Sequence, residues 1–143
     1  MGLAVEGAPG GNPVFERGIS KNTKSCLELL SLEPFAAPFY LAGGTALALH
    51  LGHRLSFDLD FFRPDNFDSH VLSLQLKGLG KLDVEQKSEF TFNGKLNGIK
   101  ISFFRYPYPL LKKATNYGGA RVAAIEDIAC MKLDAISSRG SKR

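Results

Sequence analysis

The chain has 143 residues, 44% of them hydrophobic and 11 of them Phe, which suits one domain with a sizeable core. Its formal net charge of +4 is only mildly basic and singles out no class of partner. No apolar run reaches the length of a membrane span, and the first residues lack the pattern of a secretory signal. The two cysteines, Cys26 and Cys130, have no zinc spacing. A cytoplasmic protein with both thiols reduced and buried is therefore expected.

Residues 1–13 are rich in Gly and Pro and are expected to be disordered, leaving 14–143 as the domain. Asn12-Pro13 fits a helix cap followed by a first-turn proline. Helical pieces are predicted between 14 and 32, burying Cys26, Leu29, Leu30 and Leu32, with Glu33-Pro34 as the stop. Residues 39–42, Phe-Tyr-Leu-Ala, read as a buried strand. Gly43-Gly44 breaks it, and Thr45 can cap a helix over 46–53. A turn at Arg54-Leu55-Ser56 leads to a second strand over 57–62. Side chains alternate along a strand, so Asp58 and Asp60 share one face while Phe57, Leu59 and Phe61 pack on the other.

After a turn at 63–66, Asp68-Ser69 can cap a helix with Val71, Leu72, Leu74, Leu76 and Leu79 as its apolar positions. Strands are predicted over 82–85 and 90–96, then a tight Asn97-Gly98 hairpin and a strand over 99–106 that Pro107 and Pro109 end. Residues 116–119 read as a flexible turn, and 125–138 as a last helix. The expected fold is α+β: a small mixed β-sheet with helices on one face.

Two features carry chemistry. Paired carboxylates on an otherwise apolar strand repel one another and resist burial, and a divalent cation relieves both difficulties. The strand–Gly43-Gly44–Thr45–helix turn offers free backbone N–H groups at a helix N-terminus, which attract phosphate, and the Thr45 hydroxyl is a further donor. Neither feature is specific alone. Together they point to a nucleotide-handling site. His50 and His53 are a pair without a third ligand, which argues against a metal site built on them, and His53 is expected to pack or cap. Lys132 projects from the middle of the apolar arc of the last helix. Its amine either snorkels to water or reaches into a cleft to meet a phosphate.

The run G-G-T-A-L followed by H-R-x-S-x-D-L-D-F-F resembles the first motif of the AbiEii/AbiGii-type nucleotidyltransferases, within the DNA polymerase beta-like superfamily. The resemblance extends from about residue 38 to the C-terminus and implies a nucleotidyltransferase-like core. It implies Mg²⁺ (or Mn²⁺) on Asp58 and Asp60, and an NTP whose phosphates lie on Gly43, Gly44 and Thr45. It raises the weight of Arg54 and Ser56 as phosphate- or metal-positioning residues, and of Lys132 as a catalytic triphosphate contact. Superfamily members usually carry a third carboxylate on a neighbouring strand; Ser102 stands at that place here. The family pattern continues after R-G-S-K-R with further aspartates, which implies that the domain is truncated at its C-terminus.

The expected function is Mg-dependent transfer of NMP from an NTP to RNA, tRNA or a protein hydroxyl, by the toxin of a bacterial toxin–antitoxin pair with a cognate antitoxin protein as partner. The rival is a degenerate or truncated domain that binds a nucleotide or partner without catalysis. A glycosyltransferase reading of D-x-D wants a longer chain. A haloacid dehalogenase phosphatase wants Thr where Phe62 stands.

Overall fold

The computed structural model describes the backbone of residues 4–5 and 14–140 and the side chains of 14–137. Strand β1 (Ala4–Val5) pairs antiparallel with β2 (Val14–Phe15). The remaining expectations for 1–13, including the cap at Asn12-Pro13, lie outside the described residues. A single 3-10 turn (Glu16–Gly18) leads into α1 (Lys21–Ser31), whose N-cap Ser20 accepts from the Thr23 N–H. Cys26, Leu27 and Leu30 face the core, whereas Leu32, expected inside, is 79% exposed. The helix has already ended there, so that residue no longer follows the buried stripe.

Strand β3 (Tyr40–Ala42) runs directly into α2 (Gly43–Leu51), and β4 (Leu59–Arg63) returns antiparallel beside β3. The helix starts two residues before Thr45. Its cap position is Ala42, which offers no side-chain oxygen, and Gly43 takes a left-handed φ of 69° that lets the chain turn from strand to helix at once. Gly52 closes the helix, also left-handed. Helix α3 (Ser69–Lys77) has Asp68 as its N-cap, accepting from His70 and Val71 N–H at 2.9 and 3.0 Å. Leu72 and Leu76 are its buried positions; Val71 and Leu74 face outward.

Strands β5 (Leu82–Ser88), β6 (Thr91–Leu96) and β7 (Ile99–Arg105) form an antiparallel meander, with the β6–β7 hairpin turning on Asn97-Gly98, both at positive φ. A short hairpin of β8 (Thr115–Tyr117) and β9 (Ala120–Val122) follows, turning on Gly118-Gly119, where only a flexible turn was expected. Helix α4 (Ile125–Gly140) comes last. The seven-stranded sheet has the order β5-β6-β7-β4-β3-β9-β8, with β4 parallel to β7 and β3 parallel to β9. The mixed sheet and helices agree with the α+β expectation. No helix among the described residues is long and apolar enough to cross a membrane.

One core joins Leu27 and Leu30 of α1, Leu72 and Leu76 of α3, Ala46 and Leu49 of α2, and the strand residues Leu41, Leu59, Phe61, Phe92, Ile101 and Phe103. Phe61 and Phe103 stack at 4.9 Å across the β4–β7 ladder. Phe57 does not join them. It precedes β4 and is 58% exposed, because the strand begins only at Leu59.

Candidate nucleotide site

The junction of β3, α2 and β4 is assembled from residues close in sequence. Asp60 lies between Ala42 of β3 and Ser102 of β7 in the sheet register. Its carboxylate leans over the glycine turn: a Cβ added to Gly43 would come within 2.4 Å of Asp60 Oδ2. Arg54 lies over the next residue, and a Cβ on Gly44 would sit 2.6 Å from its Nη2. The two glycines therefore leave room for the two charged groups to lie against the backbone. With no side-chain cap on α2, its first N–H groups remain available beside them.

Burial raises the Asp60 pKa, and the negative charge of Asp58 raises it further. The Lys100 charge and a hydrogen bond with Ser102 pull it partly back. Ser102 thus stands beside Asp60, where the superfamily's third carboxylate was placed from sequence, and binds the aspartate instead of doubling its charge. Asp58, just before β4, is exposed. Among the described residues no group of three His, Cys, Asp or Glu could hold a metal. The carboxylate pair nevertheless fits a hard cation: two carboxylates, one of them with its negative charge disfavoured by burial and by the other, which a cation would relieve. Phosphate oxygens and water would complete such a shell.

Thr45 and Ser56 have another task. Both are buried, their hydroxyls are 2.6 Å apart, and Thr45 donates to the main-chain carbonyl of Asp58. With the Thr45 proton committed there, Ser56 is the donor of the pair. Ser56 N–H also bonds Gly18 O at 2.9 Å, and Thr23 Oγ1 donates to Phe57 O at 2.9 Å. The loop carrying Asp58 is thereby tied to α2 on one side and to the start of α1 on the other. These hydroxyls hold the main chain of Asp58 from behind.

A cleft of about 760 Å³ opens in front of the turn. Gly43, Gly44 and Arg54 form one wall, Phe62 the floor of the sheet side, Tyr106 and Tyr108 a second wall, and Met131, Lys132 and Asp134 of α4 a third. The cleft thus brings Gly43, Gly44, Arg54 and Lys132 together. Lys132 reaches it as an exposed residue, not from a buried stripe. Leu133 and Ile136 are 63% and 54% exposed, so the far half of α4 stands out from the domain. Cys130, expected buried, is exposed for the same reason, while burial pushes the Cys26 thiol up to about 11.

Sequence reasoning missed Tyr106, Tyr108 and Asp134. Tyr106 donates to Asp134 across the cleft mouth, and burial together with that carboxylate holds its phenol protonated. Two aromatics flanking a strand-ending proline were the available signal. His53 lines the cleft as an exposed residue instead of packing, whereas His50 is buried, its Nε2 2.7 Å from Ala123 O. Asp127 is also buried and accepts from Leu111 and Lys112 N–H at 2.7 and 3.0 Å, which fixes the approach of the chain to α4.

An uncharacterized protein of Aquifex aeolicus (strain VF5) is 44% identical to this chain over 131 residues, covering 89% of the chain. The chain spans 64% of the length of that relative. No solved structure matches this chain. The profile of the nucleotidyl transferase AbiEii toxins matches residues 25–143, which takes in the glycine turn, both aspartates and the whole of α4. A match over that much of the domain settles the family: this chain is a member of the AbiEii nucleotidyl transferase toxins of type IV toxin–antitoxin systems.

Proposed function

We propose that this domain transfers a nucleoside monophosphate from an NTP to a hydroxyl of RNA, tRNA being one candidate, or of protein, and that it acts as the toxin opposed by a cognate antitoxin. The observation that carries the reading is the convergence on one cleft of the glycine turn, Arg54 and Lys132, with the Asp60 carboxylate lying against Gly43 of that turn. The cleft has the size of a nucleotide site.

Asp58 and Asp60 would hold Mg²⁺ or Mn²⁺, which when bound supplies charge neutralisation at the reacting phosphate. The backbone N–H groups of Gly43 and Gly44 receive the phosphate tail at the start of α2. Arg54 and Lys132 face that tail with positive charge and stabilise the pyrophosphate as it leaves. Phe62, Tyr106 and Tyr108 offer ring faces to the base. Thr45 and Ser56 keep Asp58 in register with Asp60. The acceptor hydroxyl releases its proton to solvent as its oxygen bonds the α-phosphorus, the bond to the bridging oxygen breaks, and pyrophosphate departs.

Ser102 in place of a third carboxylate favours one further reading, in which the domain binds nucleotide without turnover. Turnover separates the two. Incubation with each labelled NTP, Mg²⁺ and total cellular RNA should give label in RNA with the parent chain and none with Asp58→Asn or Asp60→Asn. Nucleotide binding without label transfer to RNA or protein would leave the binding-module reading in possession.

A further inference from the structure

Arg63 ends β4 and Arg105 ends β7, and the two are partners across the parallel ladder. Partners in register project to the same side of a sheet, here the side away from the cleft. The rings beneath them form a chain. The Arg63 guanidinium lies 5.4 Å from the Phe39 ring centre and the Arg105 guanidinium 5.6 Å from that of Phe90. Phe67 links the two rings, 5.1 Å from Phe39 and 6.4 Å from Phe90.

Like charges facing each other on adjacent strands oppose pairing. Little on the protein offsets them. Arg63 meets Asp65 only at 4.0 Å, through a carboxylate that is 80% exposed, and Arg63 Nε is buried without a hydrogen-bond partner. Arg105 has no ion pair among the described residues. Glu89 and Asp68 line a hollow beside Phe67 and Phe90, but Asp68 is committed to capping α3. Two guanidiniums held over aromatic rings and short of anions are suited to a phosphate, which accepts from planar forks of donors. Such a combination of Arg and ring faces is also how single-stranded nucleic acid is bound without sequence readout.

We propose that Arg63 and Arg105 form a second phosphate site, separate from the cleft, that holds a backbone phosphate of single-stranded RNA. This rests on the reading of RNA as the acceptor. The chain continuity supports it: Tyr106, a cleft wall, hydrogen-bonds from its N–H to Arg63 O at 2.8 Å, so the arginines sit at the strand ends where the cleft wall begins. A strand entering the cleft has the pair directly round the ends of β4 and β7.

The test is binding, without NTP or metal, of a short fluorescein-labelled single-stranded RNA to the full chain by anisotropy, over a series of salt concentrations. A parallel arm titrates inorganic phosphate. Arg105→Met alters an exposed side chain and should weaken RNA binding at least fivefold. It should also reduce the salt slope by about 0.7, the loss of one phosphate contact on a single strand. Arg63→Lys keeps the charge but loses the fork and should weaken binding less. Lys95→Met, an exposed lysine beside the hairpin at the other end of β7, should leave this RNA affinity within twofold. Unchanged RNA affinity and salt slope in Arg105→Met would overturn the proposal. So would a site that takes inorganic phosphate as tightly as RNA, which would make it a free-phosphate site. Because the readout is binding, a chain that transfers no nucleotide but loses RNA in Arg105→Met refutes the transferase reading and sustains this one.

Discussion

Replacing Gly43 with alanine tests the geometry at the centre of the site. Gly43 has φ 69°, and an alanine Cβ there would meet Asp60 Oδ2 at 2.4 Å and Asp60 Cβ and Cγ at 3.1 Å. Holding an L-residue in the left-handed region costs about 1–2 kcal/mol. Driving the Asp60 side chain off its rotamer adds about 0.5–1.5 kcal/mol. The sum, about 1.5–3.5 kcal/mol, lowers the melting temperature by roughly 5–10 °C at about 3 °C per kcal/mol for a domain of this size. Gly44→Ala is the matched control. Gly44 is not left-handed, and the atom in the way, Arg54 Nη2 at 2.6 Å, is the end of a flexible exposed side chain. Its melting temperature should stay within about 2 °C of the parent, since Ala is favoured over Gly in a helix by about 1 kcal/mol. Nucleotide binding, followed by fluorescence of a labelled NTP, should fall in both. A Gly43→Ala protein that melts within about 1 °C of the parent, or a Gly44→Ala protein that loses as much stability, would refute the placement of Asp60 over the turn.

Asp60→Asn should raise the melting temperature at pH 7 without metal. The folded-state pKa of Asp60 lies above its ordinary 3.8, because of burial first and Asp58 second, so ionisation opposes folding as the pH rises through that elevated value. Below pH 3.8 the group is protonated in both states and the gain from Asn should vanish, which melts across pH 3 to 7 would reveal. Millimolar Mg²⁺ should stabilise the parent, by about 2.7 kcal/mol at a hundredfold excess over Kd, and leave Asp60→Asn unmoved. Lys132→Met should weaken NTP binding at least tenfold with no change in apo stability, since the side chain is exposed; parental affinity by titration would remove it from the site. Thr45→Val strands the buried Ser56 hydroxyl and the Asp58 carbonyl and should cost about 1–3 kcal/mol in urea unfolding, together with much of the activity.

The β3–α2–β4 unit was legible because its signals are local: an apolar strand, two glycines, an Ala- and Leu-rich helix and alternating aspartates. The Asn97-Gly98 hairpin was legible for the same reason. Strands β8 and β9 were not, since three residues each show no periodicity and their hairpin joins the sheet only through the long-range parallel contact of β9 with β3. Burial on α4 was misjudged because an apolar arc shows what a helix can bury, and only the neighbouring elements decide how much is covered. The roles of Thr45 and Ser56 turned on hydrogen bonds that cross from helix to loop, which spacing alone does not display. Tyr106, Tyr108 and Asp134 meet only after the sheet brings β7 beside α4.

The cleft has one wall set in the core and one wall that emerges from it. The glycine turn and the aspartates belong to the strands and to a helix buried in the core. Helix α4 is anchored through its first turns, where it meets α2, Ile128 is buried and Asp127 accepts from Leu111 and Lys112 N–H; further along it has Tyr106 on Asp134 and the longer Tyr40–Met131 contact at 4.0 Å. Segments with few buried contacts open at lower free energy than the domain unfolds. Backbone amides of residues 131–137 should therefore exchange with solvent far sooner than those of β4 and β7. A molecule bound to the exposed Leu133 and Ile136 would rest on the same stretch of helix that presents Lys132 to the cleft.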